Sequence, residues 1–165
     1  MKKLIVLFFV ACSTFSYSQN TIGKGSKMAD FGVGLSTWGI PVYGGIEVGV
    51  DDNITVGGRL SWRSWNERYF GTGYRHNIFG FSVRGNYHLN EVLELPSDIG
   101  LYAGLNAGFY VYDSPSEYSG DRTSGIGLGV QIGGRYYFKD TWSLNAELGG
   151  GSSFSSSKIG LTKNF

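Results

Sequence analysis

Between residues 126 and 138 the chain reads Ile-Gly-Leu-Gly-Val-Gln-Ile-Gly-Gly-Arg-Tyr-Tyr-Phe. Even positions are mostly large and apolar, while odd positions carry glycine, glutamine and arginine. A period of two residues is that of a β-strand, whose side chains point alternately to opposite faces. The odd face is mostly bare backbone with one charge, which is not what a strand shows to water. Such a strand suits a cramped interior on one side and a greasy medium on the other, the inverted pattern of a membrane β-barrel.

The same alternation recurs at residues 28–38, 40–50, 54–65, 76–89, 99–112, 142–150 and 158–165. The pattern predicts an all-β fold, an eight-stranded antiparallel up-and-down transmembrane β-barrel. Eight is the smallest even strand number among bacterial outer-membrane barrels. Each segment is near or above the roughly 9–11 residues that a tilted strand needs to cross a bilayer. Residues 51–53 and 139–141 read as tight turns. Residues 90–98 read as one helical turn begun by Asn90 and stopped before Pro96. The outer loops are expected near Gly39 and at residues 66–75, 113–123 and 152–157.

A soluble eight-stranded ligand carrier would show the same alternation with its apolar face inside. The polar face decides against it. A water-washed exterior would be rich in lysine and glutamate, yet charged residues make up only 16% of the chain, against about 25% in an ordinary soluble domain. That face instead carries a dozen glycines, including Gly32, Gly45, Gly57, Gly104, Gly108, Gly127, Gly129 and Gly133. Glycine weakens strands; inside a narrow barrel it makes room for arginine and tyrosine.

The N-terminus reads as a secretory signal. Lys2 and Lys3 precede a short apolar core, and small residues at Ser16 and Ser18 mark cleavage before Gln19. Residues 1–18 are thus expected to be a cleaved signal peptide, 19–27 an N-terminal periplasmic segment and 28–165 the outer-membrane barrel. A rival reading makes Cys12 a lipidated N-terminus. Cleavage removes two of the 14 Lys and Arg, leaving 12 against 13 Asp and Glu. That near-neutral balance argues against nucleic acid as a partner. Cys12 is the chain's one cysteine and would leave with the signal, so neither a disulfide frame nor a cysteine-ligated metal is expected.

Aromatic residues fall at the ends of the apolar face. Tyr87, Phe138, Trp142 and Phe165 lie toward the periplasmic ends, and Trp62, Phe79 and Phe109 toward the outer ends. Such positions suit lipid interfaces. With these features the chain resembles the small eight-stranded outer-membrane barrels, the group containing the outer-membrane protein A transmembrane domain and the opacity and porin-like families. The final Ile159-Gly160-Leu161-Thr162-Lys163-Asn164-Phe165 resembles that group's C-terminal signal, although Lys163 stands where an aromatic or apolar residue is usual. The resemblance implies outer-membrane lipids and the barrel-assembly machinery as partners, a monomer, and no catalytic residues.

The inward face collects Glu47, Arg59, Arg63, Arg84, His88, Arg135 and Glu147. Unpaired charges in a narrow tube are costly, so these are expected to pair into a plug, with Arg135 meeting Glu47 or Glu147. The alternative is a narrow, porin-like channel favouring anions. Neither cofactor nor metal is expected. Barrel enzymes that modify lipid need a nucleophile beside a histidine. Here His76 is followed by Asn77-Ile78, and His88 has no serine near it in sequence. Asp113, Glu117 and Asp121 match no calcium-loop spacing. The outer segment with Trp65, Arg68, Tyr69, Phe70, Tyr74 and Arg75 is a candidate surface-binding loop, because Trp, Tyr and Arg dominate binding hot spots. The sequence names no extracellular ligand.

Overall fold

The computed structural model describes residues 22–36, 39–69, 72–113, 124–152 and 156–165, with backbone alone for 67–69, 72 and 156. The proposed signal peptide, Cys12, Phe70, Glu117 and Asp121 lie outside the described residues, as do the side chains of Arg68 and Tyr69.

Eight strands are present: β1 (Lys27–Leu35), β2 (Val42–Asp51), β3 (Ile54–Tyr69), β4 (Thr72–His88), β5 (Ile99–Asp113), β6 (Gly125–Lys139), β7 (Trp142–Gly151) and β8 (Ser156–Asn164). Each pairs antiparallel with its sequence neighbours, and β8 returns to β1 to close the barrel. Lys27 pairs with Val48, and the ladder runs on through Val56, Gly85, Leu105, Val130 and Gly150. Continuing the β7–β8 and β8–β1 registers brings it back to β1 about ten residues further along. That stagger tilts the strands steeply and fixes a bore that side chains can fill.

Both faces follow the expected alternation. Phe31, Val33, Ile46, Leu60, Phe81, Leu105, Ile126, Val130 and Ile159 are exposed, and the buried side chains are mainly polar or charged. The apolar surface is therefore outside, which rules out the soluble-carrier arrangement. At the expected lipid interfaces, Tyr87, Phe138 and Phe165 are exposed near the end that carries the N-terminus, with Trp142 half-buried beside them. The other set does not form a ring. Trp62 pairs with Phe79, and Phe81 with Phe109, so these four rings form one patch on β3–β5.

Three expectations about the connections change. Residues 66–75 are not a loop throughout: β3 and β4 pair out to Tyr69 and Thr72. Residues 90–98 form turns without a helix. Leu93 N–H reaches Leu89 C=O at 3.0 Å, but Glu94 then takes a left-handed φ of 49° and ends the run. Nor does Asn90 cap a helix. Its Oδ1 accepts from Leu101 N–H at 3.1 Å and its Nδ2 donates to Ile99 C=O at 2.9 Å, standing in for a neighbouring strand. Near Gly39 the outer connection is tight, with Ser36 N–H bonded to Gly39 C=O at 3.2 Å and a φ of 94° that favours glycine.

Of the expected periplasmic segment, Lys27 already belongs to β1. Residues 23–26 fold against the end of β2, where Gly25 and Ser26 exchange bonds with Gly49.

Candidate functional site: the charged lumen

The pleat aims the inward residues of all eight strands at one axis, and the stagger decides which of them stand level. Glu147 on β7 is the hub. Its Oε1 accepts from Arg59 Nη1 at 2.7 Å and Lys158 Nζ at 2.9 Å, and its Oε2 from Arg84 Nη2 at 2.5 Å and Tyr102 OH at 3.0 Å. Glu47 on β2 is a second centre, 3.2 Å from both Arg84 Nε and Arg135 Nη2. Arg59 also meets Asp30 at 2.6 Å. Arg84 thus ties the two glutamates together across the bore, and Arg135 pairs with Glu47. Each of these side chains is at most 13% exposed, so the pairs act in a medium of much lower dielectric than water.

Neutral groups complete the network. Thr55 donates to Glu47 at 3.0 Å and lies 3.1 Å from His88 Nε2. Thr55 has a single hydrogen, so His88 is the donor in that second bond and carries its proton on Nε2. Asn86 donates to Glu47 at 3.2 Å and accepts from Gln131 at 2.8 Å, and Gln131 in turn accepts from Asn106. Tyr43 donates to Asn145, and Asn145 to Thr162. Three guanidinium groups lie over aromatic faces: Arg59 is 4.5 Å from the Tyr43 ring centre, and Arg135 and Arg84 are 4.8 Å and 5.9 Å from that of Tyr102.

The inward glycines make these placements possible. A Cβ on Gly133 would stand 2.3 Å from the Tyr102 ring, and one on Gly57 2.7 Å from Cγ of Glu47. Gly133 therefore leaves room for the ring on which Arg135 rests. Replacing Tyr102 by phenylalanine keeps that ring and removes one bond to Glu147. The expected loss is about 1 kcal/mol in urea unfolding from vesicles, and no measurable loss would mean that the hydroxyl contributes nothing.

Of the expected lumen residues, Glu47, Arg59, Arg84, Arg135 and Glu147 lie in the ion-pair network, and His88 joins it through Thr55. Arg63 stands apart. It donates to Ser36 Oγ at 3.0 Å, and among the described residues it forms no ion pair with a carboxylate. Sequence reasoning missed Asp30, Lys158, Thr55, Tyr43 and Tyr102 as partners in the network. Parity alone would have found Asp30 and Lys158, since each neighbours an outward residue, Phe31 and Ile159.

At the end of the barrel away from the N-terminus, Arg75 bonds Asn66 across the β3–β4 hairpin at 3.4 Å, and the Trp65 and His76 rings lie 5.7 Å apart. The backbone of Tyr69 lies at the hairpin tip and Tyr74 is half-buried. Lys163 points outward with its ammonium 4.9 Å from the Trp142 ring centre and 5.8 Å from that of Phe165. The long stem of a lysine lets its charge reach an interface in this way.

A closed antiparallel barrel of eight strands with an apolar exterior and a charged interior has the fold of the outer-membrane barrels. No family profile matches the sequence, and no curated protein matches it. Solved structures do match in fold. One is the N-terminal β-barrel domain of Pseudomonas aeruginosa OprF, with 17% identity, TM-score 0.58, and coverage of 87% of this chain and 99% of that one. Another is the outer-membrane protein OprG of Pseudomonas aeruginosa, at 10% identity and TM-score 0.64, covering 87% and 97%. A third is Ail, the attachment invasion locus protein of Yersinia pestis, in complex with the heparin analogue sucrose octasulfate. It has 12% identity and TM-score 0.59, and coverage is 86% and 99%.

Proposed function

We propose that this protein is a non-enzymatic barrel of the bacterial outer membrane, exported by a cleaved signal peptide, with a structural or surface-interacting role and a lumen closed to solutes. One observation carries the closed lumen: Arg84 bridges Glu47 and Glu147 across the bore while Arg59 and Arg135 occupy the flanking space. Opening a path would mean separating buried pairs, at about 3–5 kcal/mol for each that loses a partner. The exposed apolar wall supports lipid as its surroundings. His88 sets up no nucleophile at Thr55, since the Thr55 hydrogen goes to Glu47. Planar-bilayer recordings on the purified protein should give no resolved conductance steps; steady steps would overturn the closed lumen.

A narrow anion-preferring channel is the second reading. It is favoured by five lumen cations (Arg59, Arg63, Arg84, Arg135 and Lys158) against the three acids Asp30, Glu47 and Glu147. Reversal potentials in a salt gradient would then show anion preference. For the surface role, the β3–β4 hairpin is the best candidate, because Trp65, Arg68, Tyr69, Tyr74 and Arg75 lie on its two strands near their connected ends; Phe70, also in the expected loop, lies outside the described residues. Cells with residues 66–75 replaced by a short Asn-Gly turn should keep the barrel and lose adhesion to host-type surfaces. We further propose lipid contacts for Trp62, Phe79, Tyr87, Phe109, Phe138, Trp142 and Phe165, and recognition of β8 by the barrel-assembly machinery.

A further inference from the structure

We propose that the lumen holds a bound halide, with chloride the physiological ion, in the cavity between Arg63, Ser61, Ser82, Lys158 and the Arg59–Arg84 pair. The site goes beyond the proposed role and does not depend on it, since a closed barrel and a leaky one could both carry it.

The first observation is the charge balance. Among the described residues, five cations and three carboxylates share the bore, and the pairs named above already use all three of these acids: Asp30 serves Arg59, Glu47 serves Arg84 and Arg135, and Glu147 serves Arg59, Arg84 and Lys158. Nothing of that supply faces Arg63. Its residue is 6% exposed, its Nε has no hydrogen-bond partner, and its one bond among the described residues runs to the neutral Ser36 hydroxyl. A buried guanidinium without a counter-charge is costly, and a mobile anion is the simplest remedy.

The second observation is a space to hold it. A cavity of about 30 Å³ is lined by Arg59, Arg63, Arg84 and Lys158 together with the Ser61 and Ser82 hydroxyls. That volume is space within which a water-sized sphere can move, so there is room for a monatomic anion. The lining is rich in donors. Ser61 and Ser82 can each turn a hydroxyl hydrogen inward, and the four cations supply N–H groups. Glu147 also borders the cavity, but three cations and Tyr102 already occupy its oxygens.

The test uses the protein purified from membranes and refolded in phosphatidylcholine vesicles. Thermal midpoints are read in sodium chloride, sodium bromide and sodium gluconate at equal ionic strength. A ligand that binds only the folded state raises the midpoint with its concentration. Wild type should melt several degrees higher in chloride or bromide than in gluconate, and the gain should saturate. The Arg63→Gln variant should lose that difference. Equal midpoints in wild type, or an undiminished difference in Arg63→Gln, would overturn the proposal, the latter marking a general salt effect. Crystals of wild type grown in sodium bromide give a second reading that needs no variant. Anomalous scattering within the cavity beside Arg63 and Ser82 is expected, and its absence would overturn the site.

Discussion

Replacing Glu147 by glutamine should destabilise the folded barrel by about 3–5 kcal/mol. Glutamine keeps the shape of the side chain and removes its charge. Arg59, Arg84 and Lys158 all converge on this carboxylate between 2.5 and 2.9 Å, and with Arg63 and Arg135 they would leave five cations with two acids among the described lumen residues. Arg59 would retain Asp30 and Arg84 would retain Glu47. Lys158 would keep no acid among the described residues, and an amide N–H would face a guanidinium. The measurement is urea unfolding from vesicles, followed by tryptophan fluorescence. Adding Lys158→Met should restore part of the loss, because it removes a buried charge together with its partner. A loss below about 1 kcal/mol would show that water in the bore, rather than the carboxylate, balances the charge.

Substituting leucine for Gly104 should abolish folding altogether. A Cβ at this position would stand 2.2 Å from the Gly85 carbonyl oxygen, 2.3 Å from Asn86 Oδ1 and 2.9 Å from Gln131 Nε2. The side-chain atoms could rotate away, but the carbonyl belongs to the β4–β5 ladder and could move only by breaking it. A register slip of one residue would turn the whole face outward, so the chain has no nearby alternative. Gly129 is more forgiving, with its nearest neighbour an Asn106 side-chain oxygen at 2.9 Å, and leucine there should lower the yield without preventing folding. Val130→Leu, on the exposed face, is the control and should fold as wild type does. Equal yields of the heat-modifiable folded band for Gly104→Leu and Val130→Leu would mean that the two faces have been exchanged.

The strand number, the pairing order and the identity of the two faces were legible in residues such as 126–138, because lipid and a cramped bore impose opposite demands on alternate positions. The hairpin above residue 66 was not. Once a strand rises clear of the apolar belt, water can reach both its faces, the alternation fades, and Asn66, Glu67 and Arg68 look like loop. The lumen residues were visible by parity, but their partners were not. Whether Arg135 meets Glu47 or Glu147 depends on which positions stand level around the bore, and that follows from a stagger accumulated over eight registers. Asn90 looked like a helix cap because its side chain satisfies backbone groups; it does so for β5, a relation that local sequence does not carry.

The closing seam has a consequence for how the barrel comes into being. Phe31 pairs with Leu161, and Asp30 with Thr162, so the most distant parts of the barrel sequence must meet before either edge is covered. Until then β1 and β8 both present unsatisfied N–H and C=O groups that a bilayer cannot solvate. Pairs this far apart in sequence form slowly. Until the seam closes, both edges stay open to pairing with other chains, so the last step of folding is also the one that removes the hazard of aggregation.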